Sequence, residues 1–146
     1  MMEEPKIEMI ATGELIPYAR NARTHSEAQV AQIAASIREF GFTNPVLVTD
    51  DLTIIAGHGR LEAARKLGLD RVPCIRQSQL TPTQVKAYVI ADNQLAMNAG
   101  WNLDTLKVEI ETLEDFDVSL LGFDDDFIAN LYALLVNHIL FRLFWA

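Results

Sequence analysis

Apolar residues along the chain fall into two kinds of segment, short β-branched runs and longer stretches with helical spacing. The short runs predict strands at residues 7–16, 46–48, 54–56 and 72–75. Apolar residues three and four apart predict helices at residues 26–41, 61–68, 82–98, 103–114 and from 124 onward. A hairpin followed by a helix and a further strand is α/β in character.

Polar residues mark the ends of several predicted helices. Ser26 and Gln29 have the spacing of a capping box, in which each residue caps the other's backbone. Thr81 and Gln84 repeat that spacing around a proline, which favours the first position of a helix. Pro73, in contrast, lies inside the last predicted strand. Because proline has no backbone N–H, we expect this strand at an edge of the sheet or the proline at a strand start.

Composition and charge narrow the classes of function. The length of 146 residues suits one domain, and a net charge of −8 argues against a protein that holds DNA by an overall positive field. Nine of the 12 basic residues lie within residues 1–80, so we expect any bound anion there. Cys74 is the single cysteine, and no secretory signal is visible at the N-terminus, so we expect a cytoplasmic protein.

The most informative segment is the turn Gly57-His58-Gly59-Arg60, between a predicted strand and a predicted helix. Two glycines allow backbone positions that side chains would block, and the free amides of a helix start form an anion cradle beside Arg60. Phosphate is the ligand that such a cradle favours. The alternative is a tight turn that needs glycine only for its backbone.

The histidine in this turn has two interpretations. His58 is either a general base or metal ligand near a bound phosphate, or a structural turn residue. With Asp92 and Glu62 it could hold a divalent metal as a nuclease needs, although a helical glutamate such as Glu62 is more often solvated. The candidate catalytic residues are therefore His58 and Asp92, and no dedicated metal site is expected. His25 is interpreted as a loop histidine rather than a ligand.

The sequence resembles a known family over residues 7–100. The segments Gly41–Val46, Ala56–Ala64 and Leu80–Asn93 resemble, in order and spacing, the N-terminal domain of ParB-type partition proteins, which has the ParB/sulfiredoxin fold. Within that superfamily the chain is most similar to ParB-like nuclease domains of phages and mobile elements that are associated with DNA methyltransferases. The resemblance implies a small mixed sheet flanked by helices at 1–100, and the apolar spacing after it predicts a C-terminal helical extension at 101–146 packed on it.

The resemblance also implies a nucleotide site. In the family a turn binds the triphosphate of CTP, and the matching positions in this chain are Gly57, His58, Gly59 and Arg60. It implies that Thr43 and Asn44 form a loop near the base of the nucleotide. It also implies that Asn93, beside Asp92 on a later helix, helps to hold phosphate and magnesium. Arg23, in the loop before the first helix, would contact phosphate or DNA. The implied ligands are CTP or ATP with Mg²⁺.

Several positions depart from the family's pattern. His58 and Gly59 stand where the family has glutamate and arginine, and Ala96 stands where it has arginine. Each missing group removes a charge-assisted hydrogen bond of about 1.5–3 kcal/mol, which argues against CTP hydrolysis and clamp closure. Sulfiredoxin's catalytic cysteine would fall at His58, so sulfinic acid reduction is excluded. No Asp-Pro-Pro-Tyr motif is present, so this chain cannot methylate DNA by itself.

The segment 127–146 is strongly apolar. Its length just reaches that of a membrane span, but Asn130, Asn137, His138 and Arg142 interrupt it. We therefore expect it to pack on this chain or on a second copy, as a homodimer, and not to enter a membrane.

Three functions remain as hypotheses. The leading one is a nucleotide-binding domain in DNA metabolism, either partition-like or associated with DNA modification. Its DNA contact would be weak or assisted by a partner such as a DNA methyltransferase. The alternatives are a metal-dependent DNA nuclease and a non-catalytic interaction module. Whether the chain is an enzyme, as a nucleoside triphosphatase or a nuclease, stays open.

Overall fold

The computed structural model describes residues 2–21 and 23–145, and it describes their side chains except those of 134–141 and 145. The chain divides into two compact units, Met1–Ala99 and Gly100–Ala146. The first unit contains a short 3-10 helix, Thr12–Glu14, and the elements β1 (Ile7–Ala11), α1 (Glu27–Phe40), β2 (Val46–Val48), β3 (Ile54–Ala56), α2 (His58–Lys66), β4 (Arg71–Arg76) and α3 (Pro82–Asn98).

The four strands form one mixed sheet in the order β1-β4-β2-β3. β4 pairs with β1 in the antiparallel sense and with β2 in the parallel sense, and β2 and β3 form an antiparallel hairpin. This arrangement confirms the predicted mixed sheet flanked by helices.

The core of the first unit consists of two clusters that meet at α2. Leu61 and Ala64 of α2 belong to the cluster on the sheet, with Val46, Ile54 and other β-branched side chains. Ala63 belongs to the second cluster, which contains Val30 and Ala34 of α1. Because alanine side chains are small, α2 fits closely between the sheet and α1, and this packing fixes the position of the turn before it.

The first strand is shorter than predicted. A strand through residue 16 is wrong beyond Ala11, where the chain turns into the 3-10 helix. Thr12 stabilises this turn, because its backbone N–H donates to the Asp70 carbonyl at 2.9 Å and its hydroxyl donates to the Leu69 carbonyl at 3.1 Å. Ile16 then forms an isolated bridge with Thr53.

The expectation for Pro73 is also wrong, because β4 lies inside the sheet and Pro73 is its third residue. Gln77 donates its backbone N–H to Val48 of β2. Since strand residues two apart face the same neighbour, the nitrogen of Pro73 also faces β2. The ladder between β4 and β2 begins one residue later, at Cys74 opposite Val46. The missing N–H therefore costs no hydrogen bond in that ladder.

The predicted caps are formed, with one exception. Thr81 and Gln84 make both bonds of their capping box at the start of α3. The Ser26 hydroxyl accepts a hydrogen bond from the Gln29 backbone N–H, but within the described residues the reciprocal bond, from the Ser26 N–H to the Gln29 side chain, is absent. α2 begins at His58 rather than at the predicted Leu61, because the turn itself is the first turn of the helix.

The second unit is helical. It contains a 3-10 helix, Val118–Leu121, and the helices α4 (Leu103–Glu111) and α5 (Asp125–Trp145), with Leu106, Ile110 and Leu131 as its core. Trp101 is 63% exposed and contacts Phe123 edge to face.

The first part of the apolar tail packs on α4, because Leu131, Phe127 and Ile128 belong to the cluster of Leu106 and Ile110. For the side chains of 134–141 and 145, the expectation that the tail packs on this chain or on a second copy lies outside the described residues. Across residues 2–21 and 23–145, no helix is both long and apolar enough to cross a membrane.

Candidate functional site

The start of α2 is open. Gly57 precedes the helix with φ +112° and ψ 22°, a left-handed conformation that favours glycine. No side chain in the described part of the chain caps the first amides of α2, so their N–H groups are available to an anion. A Cβ at Gly57 would lie 3.0 Å from Arg60 Nη2 and 3.2 Å from Val46 Cγ2. The glycine therefore serves both the backbone conformation and the close approach of the arginine.

Gly59 lets α1 and its preceding loop approach α2 closely. A Cβ at Gly59 would lie 2.9 Å from Ile33 Cδ1 and 3.1 Å from both Cε1 and Nδ1 of His25. Gly59 is buried, and a side chain there would displace one of these neighbours.

A cavity of about 230 Å³ lies at this open helix start. It brings together seven of the predicted site residues, which are Arg23, Gly57, His58, Gly59, Arg60, Asp92 and Asn93. Asn21 and His25 also line it, and sequence reasoning did not place either of them in the site. His25 directly precedes the helix cap Ser26, and that position was the only signal for it in the sequence.

Thr43 and Asn44 are outside this group. Both are exposed in the loop before β2, and neither is among the described residues that line the cavity. The next residue, Pro45, is connected to the site, because its carbonyl accepts a hydrogen bond of 2.9 Å from Arg60 Nη2.

Part of the Arg60 guanidinium is used in a hydrogen bond within the protein. Its Nη2 holds the Pro45 carbonyl, and its Nε is buried without a hydrogen-bond partner among the described residues. Burial lowers the pKa of Arg60, and the negative charge of Asp92 raises it. The guanidinium remains a cation at physiological pH and lines the cavity beside Asp92.

Arg23 and Asn93 meet across the cavity. Arg23 Nη1 donates a hydrogen bond of 2.8 Å to Asn93 Oδ1, and Asn93 Nδ2 donates one of 2.8 Å to the Val89 carbonyl of α3. Two residues that are 70 positions apart in the sequence are therefore in direct contact. This contact connects the loop before α1 to α3.

His58 is engaged by the backbone of a distant loop. The Tyr18 N–H donates a hydrogen bond of 3.0 Å to His58 Nε2. Burial and then the neighbouring His25 lower the pKa of His58 below the usual 6.5, and Glu62 opposes them. A neutral imidazole whose Nε2 lone pair is already occupied anchors the loop at Tyr18, and it has only Nδ1 left for other chemistry.

The described residues provide no group of three or more His, Cys, Asp or Glu that could hold a metal ion. Glu62 is exposed, so its side chain is solvated. Cys74 is buried in the sheet, and desolvation raises the pKa of its thiol to about 11. This thiol is inert at neutral pH because the thiolate is the reactive form.

The fold and the cavity together define a small α/β domain with an uncapped helix start at a polar cleft. The sequence model of the ParB N-terminal domain matches residues 1–93, and the chain belongs to this family. The ParB-like nuclease domain-containing protein YnaK of Escherichia coli K12 is 55% identical over 84 residues, which are 58% of this chain and 97% of that protein. These findings confirm the resemblance seen in the sequence.

More distant relatives extend the comparison. A nucleoid occlusion protein of Bacillus cytotoxicus is 32% identical over 93 residues, which are 60% of this chain and 32% of that protein. The C-terminally truncated chromosome-partitioning protein ParB of Caulobacter crescentus, complexed with CTP-γ-S, has a TM-score of 0.60 at 22% identity. That match covers 88% of this chain and 85% of that chain, and it confirms the fold class.

Proposed function

We propose that this domain binds a nucleoside triphosphate at the start of α2 and acts in DNA metabolism. The observation that carries the proposal is the uncapped helix start, which opens on a cavity lined by Arg23 and Arg60. Backbone amides at a helix N-terminus, with cations beside them, favour phosphate. The Caulobacter relative, which shares the fold, is complexed with CTP-γ-S, so CTP is the first nucleotide to test and ATP the second.

Each part of the site has a proposed role. The turn Gly57–Arg60 holds phosphate oxygens through its amides, Arg23 contributes positive charge, and Asn93 supports Arg23 through their hydrogen bond. Asp92 is the one carboxylate that lines the cavity in the described residues, which suits a Mg²⁺ ion held mainly by the phosphates. Thr43 and Asn44 remain the proposed contacts to the base.

The proposed partners are DNA and the proteins that act on it. The net charge of −8 supports only a weak, salt-sensitive contact with DNA, assisted by a partner such as a DNA methyltransferase. We assign the ParB-like function to residues 1–100 and keep the extension 101–146 as the proposed surface for partners or for a second copy.

The test is calorimetric titration of CTP, ATP and GTP, each with Mg²⁺, into three proteins. We expect saturable binding to the wild type, binding at least about tenfold weaker in Arg23→Ala, and unchanged binding in Arg38→Ala. Arg38 is an exposed arginine of α1 away from the cavity, so it is a matched control. Arg60→Ala is less informative, because Arg60 also holds the Pro45 carbonyl. Binding of none of the three nucleotides would contradict the proposal and favour an interaction module.

A metal-dependent DNA nuclease is the second candidate, because His58 and Asp92 line one cavity. It predicts that the protein cleaves plasmid DNA with Mg²⁺ or Mn²⁺ and that His58→Ala removes this cleavage. The hydrogen bond from Tyr18 to His58 weighs against it, since it occupies Nε2. His58→Gln is the matched variant, because the Oε1 of glutamine is as far from Cβ as Nε2 of histidine and can still accept that bond. Cleavage that persists in both variants would exclude His58 as a catalytic residue.

A further inference from the structure

His25 lies at the wall of the cavity, against the first turn of α2. It directly precedes Ser26, the cap of α1, and its ring is one of the groups that line the cavity. Gly59 leaves room for this ring, because a Cβ there would lie 3.1 Å from two of the ring atoms. The packing of the loop, α1 and α2 therefore holds the imidazole beside the open amides.

The two nitrogens of this ring have different surroundings. Nδ1 is buried and has no hydrogen-bond partner among the described residues. A buried N–H without an acceptor is rarer in proteins than a buried acceptor without a donor. The neutral ring is therefore more stable with its proton on Nε2. Nε2 also has no hydrogen-bond partner among the described residues, but it is not buried, so its N–H can donate to a ligand.

The other histidine of the cavity is in the opposite situation. His58 uses Nε2 to accept the Tyr18 N–H, so this nitrogen has no proton to donate while the loop stays in place. In its neutral form His58 therefore carries its ring proton on Nδ1, so the two imidazoles of the cavity are in opposite tautomers.

We infer that His25 is a ligand-binding residue of this site, which donates a hydrogen bond from Nε2–H to a phosphate oxygen of the bound nucleotide. The inference rests on the proposed nucleotide binding and adds a residue to it. Arg23, Arg60, His58 and Asp92 are the charged or titratable groups that line the cavity with His25. Because two arginines and only one carboxylate line the described part of the cavity, its net charge favours a bound anion.

The first test is binding of CTP, ATP and GTP with Mg²⁺ to His25→Phe. Phenylalanine keeps a flat ring beside Gly59 and removes both ring nitrogens. We expect affinity for the tightest of the three nucleotides to fall about ten- to a hundredfold, the effect of one hydrogen bond to a charged group. Glu27→Gln, an exposed change in the first turn of α1, should leave affinity unchanged, and His25→Gln should recover part of the loss.

The second test uses the wild type and does not depend on how a variant folds. Imidazole ¹⁵N NMR should show a protonated Nε2 on His25 in the free protein, and the signal of that nitrogen should move on saturation with the nucleotide. A proton on Nδ1, or an unmoved Nε2 signal, would overturn the inference.

The failures can be told apart. A wild type that binds none of the nucleotides would remove the proposed function and the role of His25 together. A wild type that binds, beside a His25→Phe protein of equal affinity, would remove the role of His25 alone.

Discussion

The two helices that supply the cavity are held in different ways. α2 has nine residues, and four of them, Gly59, Leu61, Ala63 and Ala64, are buried between the sheet and α1. α3 has 17 residues, and Val89 is the buried one in this fully described helix. Apolar side chains such as Ile90 and Met97 remain exposed on α3. The α2 side of the cavity is therefore part of the core, whereas we expect the side that bears Asp92 and Asn93 to move at little cost.

α2 therefore provides a fixed part of the cavity, and α3 provides a part whose position can adjust. The open amides of α2 are in place before any ligand arrives, because moving them would disturb the core. Asn93 depends on its hydrogen bond with Arg23 and on the packing of Val89. We expect ligand binding to change the position of α3 more than that of α2.

The largest expected effect is on the free energy of unfolding, when a leucine of α2 and a leucine of α3 are each replaced by alanine. Leu61 is 2% exposed and Leu95 is 67% exposed. We expect Leu61→Ala to lower the free energy of unfolding by about 2–5 kcal/mol, because it leaves a cavity in the core. Leu95→Ala should change it by less than about 0.5 kcal/mol. Urea denaturation of both variants measures the two values, and equal losses would show that α3 is as firmly packed as α2.

A smaller loss is expected from Gly57→Ala, because alanine is strained at a φ of +112° and its Cβ would press on Arg60 Nη2. We expect about 1–2 kcal/mol of destabilisation together with weaker nucleotide binding. Gly68→Ala is the matched control, since Gly68 has a φ of +72° with nothing within 4 Å of its Cβ. Denaturation and calorimetry should show a loss of stability in both variants and a loss of binding only in Gly57→Ala. Equal nucleotide binding by the two variants would show that Gly57 does not contribute to the binding site.

The pH dependence of stability should reveal how α2 is tied to the loop at Tyr18. The pKa of His58 is lowered from 6.5 in the folded protein, so the unfolded chain takes up a proton first as the pH falls. The contribution of His58 to stability is present above pH 6.5 and is lost progressively below it. Denaturation between pH 8 and pH 5 should show this loss in the wild type and a shallower one in His58→Gln. The same slope in both proteins would mean that His58 does not carry the dependence.

The smallest effect concerns the contact that joins Arg23 to α3. Because this hydrogen bond is exposed, a double-mutant cycle with Arg23→Ala and Asn93→Ala should give a coupling of about 0.5–1 kcal/mol in the free energy of unfolding. The coupling should be measured by denaturation without nucleotide. A value above about 2 kcal/mol would show that this contact, rather than Val89, holds α3 in place.

Local features of the fold, including the hairpin of β2 and β3, were predictable, and the pairing of β4 with β1 and β2 was not. Thr81 and Gln84 cap α3 as their spacing predicts, because a capping box depends on four consecutive residues. Pro73 was misplaced at a sheet edge, because the neighbours of β4 are β1 and β2, which are distant in the sequence. The tolerance of Pro73 depends on where β2 begins, and no local pattern carries that information.

The candidate site divides in the same way. The glycines of the turn were recognisable in the sequence because they lie between a predicted strand and a predicted helix. The roles of the two histidines were not, because the Tyr18 N–H reaches His58 across 40 positions, and the contact of His25 with Gly59 depends on helix packing. The base-side role of Thr43 and Asn44 stays a prediction.

The order of the strands also has a consequence for biosynthesis. β4 is the last strand to leave the ribosome, yet it lies between β1 and β2. Until residue 76 has been made, β1 has no partner strand and β2 can pair only with β3. Nascent chains that end before β4 therefore expose unpaired strand edges, which attract other chains. These strand edges can be paired only after synthesis has passed about three quarters of the first unit.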